Sequence, residues 1–76
     1  MKKPSVHTVY NSQRAKWENK VEGSSAPVSS HRIKEGAVDK GQKLAQSAKV
    51  EHFVHGKDGK IQERNTYGHD PFPPRG

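Results

Sequence analysis

Histidine is the residue type with the widest chemical range in this chain, which contains five histidines and no cysteine. They are His7, His31, His52, His55 and His69. His52 and His55 are three positions apart, a metal-ligand spacing on a helix, but residues around them favour a strand, where such a pair points to opposite faces. Without cysteine or a third ligand at a suitable distance, the sequence predicts no metal site. We expect the His55 ring to close a hairpin by bonding to a backbone carbonyl or to Asp58.

Catalytic residues are not predicted either. Serine, histidine and aspartate are present, but none lies in a nucleophile elbow. The segment Gly56-Lys57-Asp58-Gly59-Lys60 lacks the glycine spacing of a phosphate-binding loop. A domain of this size also has little room for a substrate pocket of the usual ~300 Å³ or more. We therefore expect no enzymatic activity, no cofactor and no small-molecule substrate.

Positive charge is the strongest remaining indication of function. The 76 residues include 14 Lys and Arg against 8 Asp and Glu, a net charge of +6. Alternation along residues 14–22 collects cations on the polar face of one strand, and a later strand adds more. Clustered cations bind phosphates without reading sequence, and that binding weakens as salt rises. The candidate nucleic-acid contacts are Arg14, Lys16, Lys20, Lys60 and Arg64, although the polar face of residues 14–22 offers no aromatic ring for base stacking.

Two other interpretations stay open. The basic surface is also consistent with ordinary solvated charge, since acidic residues are interspersed. A protein partner or a second copy of the chain is the alternative function, because a small sheet has unpaired edges to which another strand can add. The Pro-rich residues 67–76 offer a second contact, or they fold back to enlarge a small core.

The elements that must position these residues follow from the hydrophobic pattern. Residues 5–11 and 14–22 predict two strands, and the Ser-rich residues 23–30 predict a loop. Spacing of three to four predicts a helix over 34–48, and two further strands are expected around an Asp58-Gly59 turn. The resulting fold class is α+β: a single small ββαββ domain with an antiparallel sheet and one helix on one face. The predicted boundaries are a flexible 1–4, strands 50–55 and 60–65, a domain over 5–66, and an extended Pro-rich tail over 67–76.

Large apolar residues are scarce, since Leu, Ile, Val and Phe account for 12 of 76 positions. We expect a shared core between helix and sheet made of Trp17, Val21, Val38, Leu44, Phe53 and Ile61. Asn19 falls on the apolar face of its strand, where it needs a hydrogen-bond partner or a place near the sheet edge. Gly41 falls on the apolar stripe of the helix, where a missing side chain allows close approach to the sheet.

Two segments resemble a known family. These are His55-Gly56-Lys57-Asp58-Gly59-Lys60-Ile61 and Tyr67-Gly68-His69-Asp70-Pro71-Phe72-Pro73-Pro74. They are similar to the C-terminal signature of a small bacterial family catalogued as domain of unknown function 2188. The resemblance extends to the Trp17 strand, His31 and the helix stripe, and it implies a short ββαββ protein with no established activity. That family usually has Ser or Thr before the helix, whereas this chain has Ile33, so Ser30 or His31 is expected to cap instead.

The cellular location is predicted from two features that the sequence lacks. No run approaches the ~20 apolar residues of a membrane span. Met1-Lys2-Lys3 is followed by Pro4 and polar residues instead of the apolar stretch of a secretory signal. We therefore expect a cytoplasmic protein with no membrane contact.

Overall fold

The computed structural model describes residues 4–67, in which five strands and one helix form an α+β fold. In chain order the elements are β1 (Val6–Asn11), β2 (Lys16–Val21), β3 (Pro27–His31), α1 (Lys34–Ala48), β4 (Glu51–His55) and β5 (Ile61–Thr66). The helix bounds agree with those expected from its apolar spacing. The predicted Pro-rich tail lies outside the described residues from position 68 onwards.

The predicted ββαββ order and the fully antiparallel sheet are wrong, because the sheet has a fifth strand and one parallel pair. Its strands are arranged β3-β2-β1-β4-β5, and β1 pairs with β4 in parallel. The extra strand β3 occupies part of the segment expected to be a loop. Because β3 forms an edge, it tolerates Pro27 and a Ser-rich sequence. Helix α1 connects β3 to β4 across the sheet, and a crossover of this kind joins strands that run in the same direction.

Strand β2 begins two residues later than expected. Ala15 has φ 54°, a left-handed conformation that ends the β1–β2 turn before the strand starts. The side chain of Asn11 accepts hydrogen bonds from the backbone amides of Gln13 and Arg14 at 3.0 and 3.3 Å. Asn11 therefore stabilises a turn that is longer than the gap between the two predicted strands.

Helix α1 is seated on the sheet through its smallest residues. Ala37, Gly41 and Ala45 are buried, and they form the contact stripe that the spacing predicts. A Cβ atom added at Gly41 would lie 2.5 Å from Asn19 Oδ1 and 2.7 Å from Thr8 Oγ1. The absent side chain thus permits a close approach of helix to sheet.

A buried polar network lies beneath this helix. The Thr8 hydroxyl donates to Asn19 Oδ1, and the Asn19 amide donates to Ser29 Oγ at 3.0 Å and to the Ala37 carbonyl at 2.9 Å. His52 Nε2 lies 2.7 Å from Thr8 Oγ1. Since the Thr8 proton is already donated to Asn19, His52 must donate through Nε2, which leaves its buried Nδ1 without a partner. Asn19, unexpected on an apolar face, therefore has all its hydrogen bonds.

The apolar core differs from the predicted one. Trp17 is buried, and Val21, Val38 and Leu44 are half-buried. Ile61 is 57% exposed on the edge strand β5, and Phe53 lies on the sheet face opposite the helix. The buried apolar residues are instead shorter ones: Val6, Ala37, Ala45, Val50 and Val54, in addition to Trp17.

The helix ends also differ from expectation. Ile33 is the N-cap and makes no side-chain cap hydrogen bond, so neither Ser30 nor His31 performs that role. The His31 ring contacts Ser29 Oγ at 3.0 Å instead. Lys49 ends the helix in a left-handed conformation with φ 58°. Within residues 4–67, no helix is long and apolar enough to cross a membrane.

Candidate nucleic-acid interface

One face of the sheet is free of the helix. Gly41 of α1 lies over Thr8, Asn19 and His52, so the residues that alternate with them point away from α1. Strand pairing then places His7 beside both Lys20 and Phe53, and Phe53 beside Arg64. We call this surface the open face and define it by Lys16, Lys20, His7, Phe53, His55 and Arg64.

Three of the five predicted cations lie on the open face. Lys16 and Lys20 are on β2, and Arg64 is on β5, three strand spacings away. At about 4.8 Å per spacing, the two groups stand about 14 Å apart. Arg14 lies in the β1–β2 turn, and Lys60 lies in the β4–β5 hairpin just before β5. The predicted basic cluster is therefore not one continuous patch. On the open face it forms two rims, one with Lys16 and Lys20 on β2 and the other with Arg64 on β5.

Three carboxylates, Glu18, Glu22 and Glu51, lie on or beside this face, and Glu22 accepts a hydrogen bond from the Ser5 amide at 3.4 Å. Glu51 forms an ion pair with Arg64, with 3.6 Å between Oε2 and Nη2. Glu18 is only 2% exposed and accepts a hydrogen bond from the Asn11 amide at 3.2 Å. The sequence assigned Glu18 to a solvated face, but β2 is an interior strand, and Glu18 is paired with β1 on one side and β3 on the other.

Aromatic rings occupy the space between the rims, which sequence reasoning missed. The rings of His7 and Phe53 are stacked, with centroids 5.0 Å apart and an interplanar angle of 17°. The ring of His55 follows at 5.2 Å from that of His7. The segment Glu51–His55 places Phe53 and Val54 side by side, so its alternation does not indicate which of the two faces the helix. His52 and His55 point to opposite faces, as the strand period requires.

Hydrogen bonds fix the two histidines of the open face. His55 Nδ1 lies 3.2 Å from the Gly59 carbonyl, to which it donates. His55 Nε2 then accepts from His7 Nδ1 at 3.0 Å when both rings are neutral. Burial lowers the pKa of His7 from its ordinary value, the neighbouring His55 lowers that pKa further, and Glu22 partly opposes the shift. The lowered pKa favours the neutral form of His7, which then adds ring surface instead of charge.

The hairpin segment of the family resemblance has a structural explanation. The Gly56 amide donates to the Lys60 carbonyl at 2.8 Å, and the Lys60 amide donates to Asp58 Oδ1 at 3.0 Å. Gly59 has φ 87°, a conformation that favours glycine. With the His55 ring on the Gly59 carbonyl, these residues close the β4–β5 turn. They also set the position of His55 on the open face.

The second signature segment is described only at its start. The Tyr67 amide donates to the Val50 carbonyl at 3.3 Å, and its side chain packs against a core cluster that contains Val6 and Val50. Gly68, Asp70 and Pro71 lie outside the described residues. Tyr67 therefore packs against the domain through its backbone and its side chain.

Two cavities lie away from the open face. An open groove of about 660 Å³ separates α1 from β5 and is lined by Lys34, Glu35, Asp39 and Glu63, among others. The expectation that the domain has little room for a pocket is therefore wrong. A smaller apolar cavity of about 230 Å³ lies near the C-terminal end of α1. No group of three or more His, Cys, Asp or Glu within residues 4–67 is arranged to hold a metal ion.

Comparison with known proteins gives a family but no annotated relative. No curated protein and no solved structure matches the chain. A family model matches residues 6–67, from the first residue of β1 to the end of the described domain. That range includes every strand, the helix and all residues of the open face. The chain belongs to the family described as an uncharacterized protein conserved in bacteria (DUF2188).

Proposed function

We propose that this protein binds nucleic acid through the open face, without reading base sequence. The observation that carries the proposal is the arrangement of that face, where aromatic rings lie between cations on β2 and β5. Cations bind phosphates regardless of sequence, and rings add stacking to any base. The net charge of +6 supports attraction to a polyanion.

The test compares two variants that lose the same charge. Lys16→Gln/Lys20→Gln removes two cations from the open face, and Lys40→Gln/Lys43→Gln removes two from the exposed side of α1. Neutralising three phosphates of a single strand predicts a log–log salt slope of about −2, so that fourfold more salt weakens binding about 20-fold. The open-face variant should lose more than half of this slope, and the helix variant should keep it.

Fluorescence anisotropy with labelled DNA and RNA measures the affinity and its salt slope, and circular dichroism verifies that each variant is folded. Equal loss of the slope in the two variants would show that total charge, and not the open face, governs binding. Absence of binding to DNA and RNA at about 50 mM salt, where phosphate contacts are strong, would end the nucleic-acid proposal.

Association through a sheet edge is the second candidate, and the exposure of β5 favours it. Helix α1 packs its backbone closely on the other four strands of the described sheet, and it reaches β5 through the hydrogen bond from Lys34 Nζ to Gln62 Oε1. Ile61 on β5 is 57% exposed. An edge strand offers backbone groups to another strand. Sedimentation equilibrium of wild type against Ile61→Lys tests this function, since a charge on the edge should lower any self-association.

A further inference from the structure

We propose that the ligand of the open face is single-stranded, and that one of its bases stacks on the surface formed by Phe53 and His7. This inference rests on the proposed nucleic-acid function and specifies its substrate. It follows from where the structure places Phe53, which the sequence assigned to the core.

The position of Phe53 is fixed by its neighbours on both sides. It is paired with His7 of β1 and with Arg64 of β5, whereas the next residue, Val54, is buried on the helix side. Phe53 is half-buried, and its ring stacks on His7. The His55 ring lies 5.2 Å from that of His7, so three rings are neighbours at the centre of the open face.

A duplex gains little from such a surface. Its bases are already stacked and paired inside the helix, so it presents phosphates and groove edges to a flat protein face. A single strand can turn its bases towards aromatic rings, and this is how sheet-type binders use them. The rings would therefore contribute to single-strand binding and not to duplex binding.

The charges around the rings fit the same ligand. Lys20 on β2 is the cross-strand neighbour of His7, and Arg64 on β5 is the cross-strand neighbour of Phe53. Cations therefore lie on both sides of the stacked rings, in the direction perpendicular to the strands. A backbone that follows one of these rims can place its bases over the rings. Of the carboxylates nearby, Glu18 is almost fully buried and Glu22 accepts a hydrogen bond from the Ser5 amide, whereas Glu51 is paired with Arg64 and offsets part of its charge.

The experiment compares oligothymidylate of about 20 nucleotides, which has no pairing partner, with a mixed-sequence duplex of about 20 base pairs; both exceed the site size of a small sheet domain. Wild type should bind the oligothymidylate at least tenfold more tightly. Phe53→Leu, which keeps an apolar side chain, should weaken oligothymidylate binding about five- to 150-fold and change duplex binding by less than twofold. Tyr10→Leu removes a ring from the helix side of the sheet and should leave both affinities unchanged.

The failures of the two proposals are distinguishable. If the protein binds neither probe, the nucleic-acid function itself is wrong. If it binds the duplex as tightly as the single strand, or if Phe53→Leu binds oligothymidylate like wild type, the function stands and the single-strand inference is wrong. Should Phe53→Leu be unfolded, Phe53→Trp replaces it, and quenching of the new tryptophan by oligothymidylate but not by duplex is the expected result. Without such quenching, the inference is overturned.

Discussion

The close contact between α1 and the sheet can be tested with two glycine substitutions that differ in what lies below them. Gly41 is in the interior of α1, where replacement by Ala gains about 1 kcal/mol of helix propensity, and Gly36 is in the first turn, where the gain is smaller. A Cβ at Gly36 meets its nearest non-local atom, His31 Nδ1, at 3.8 Å, which is an ordinary contact. Gly36→Ala should therefore raise the free energy of unfolding by most of that gain.

At Gly41 the same methyl group has no space. It would lie 2.5–2.7 Å from polar atoms of Thr8, Asn19 and His52, all of which are fully buried and bonded to one another. These atoms would have to retreat by most of an ångström. Overpacking of this kind costs about 1–3 kcal/mol, and a broken buried hydrogen bond adds about 1–3 kcal/mol. After the propensity gain, Gly41→Ala should destabilise the domain by about 1–5 kcal/mol.

Thermal unfolding followed by circular dichroism at pH 7.5 resolves these effects. In a domain of this size, 1 kcal/mol shifts the Tm by roughly 4–8 °C. Gly36→Ala should melt a few degrees above wild type, and Gly41→Ala should melt well below it. A Gly41→Ala protein as stable as Gly36→Ala would refute the close contact between α1 and the polar network.

Two further predictions concern the same side of the sheet. Trp17→Ala should cost ~3–5 kcal/mol, enough to unfold so small a domain, whereas Trp17→Phe should remain folded; native-like melting of Trp17→Ala would contradict the burial of this ring. Burial lowers the pKa of His52, His7 lowers it further, and the opposing effect of Glu63 is smaller than that of burial. Below about pH 6.5, His52 therefore binds a proton in the unfolded chain but not in the native state. The free energy of unfolding keeps its full value above that pH. It falls by up to about 1.4 kcal/mol per pH unit as the pH decreases towards the lowered pKa. His52→Gln, whose amide can still donate to Thr8, should have a shallower pH dependence in urea titrations between pH 7.5 and 5.5; an unchanged dependence would mean that another group is responsible.

The helix and the hairpin turn could be predicted because their signals are local. Apolar and small residues at spacings of three to four fix the helix from Lys34 to Ala48, and Asp58-Gly59 marks the turn. Strand β3 could not be predicted, because an exposed edge strand needs no apolar alternation and this one begins at Pro27. The parallel pairing of β1 with β4 depends on the path of the chain between them, which no local pattern encodes.

The open face was only partly predictable for a related reason. Lys16 and Lys20 alternate clearly with Trp17 and Asn19, so the face of β2 follows from the sequence. In β4, Phe53 and Val54 are adjacent and both apolar, and either can face the helix as far as pattern is concerned. The decision is made by tertiary contacts, which place His52 below Gly41.

The same contacts connect the stability of the fold with its proposed function. Side chains alternate along a strand, so a shift of β4 by one residue would turn Phe53 towards α1 and His52 towards the open face. That arrangement would replace the His52 ring under Gly41 with a larger phenyl ring that cannot form a hydrogen bond with Thr8. The hydrogen bond between His52 and Thr8 stabilises the observed register from within. The small residues of α1 and the buried polar network below them therefore keep Phe53 out of the core and on the open face, where we propose that a base stacks.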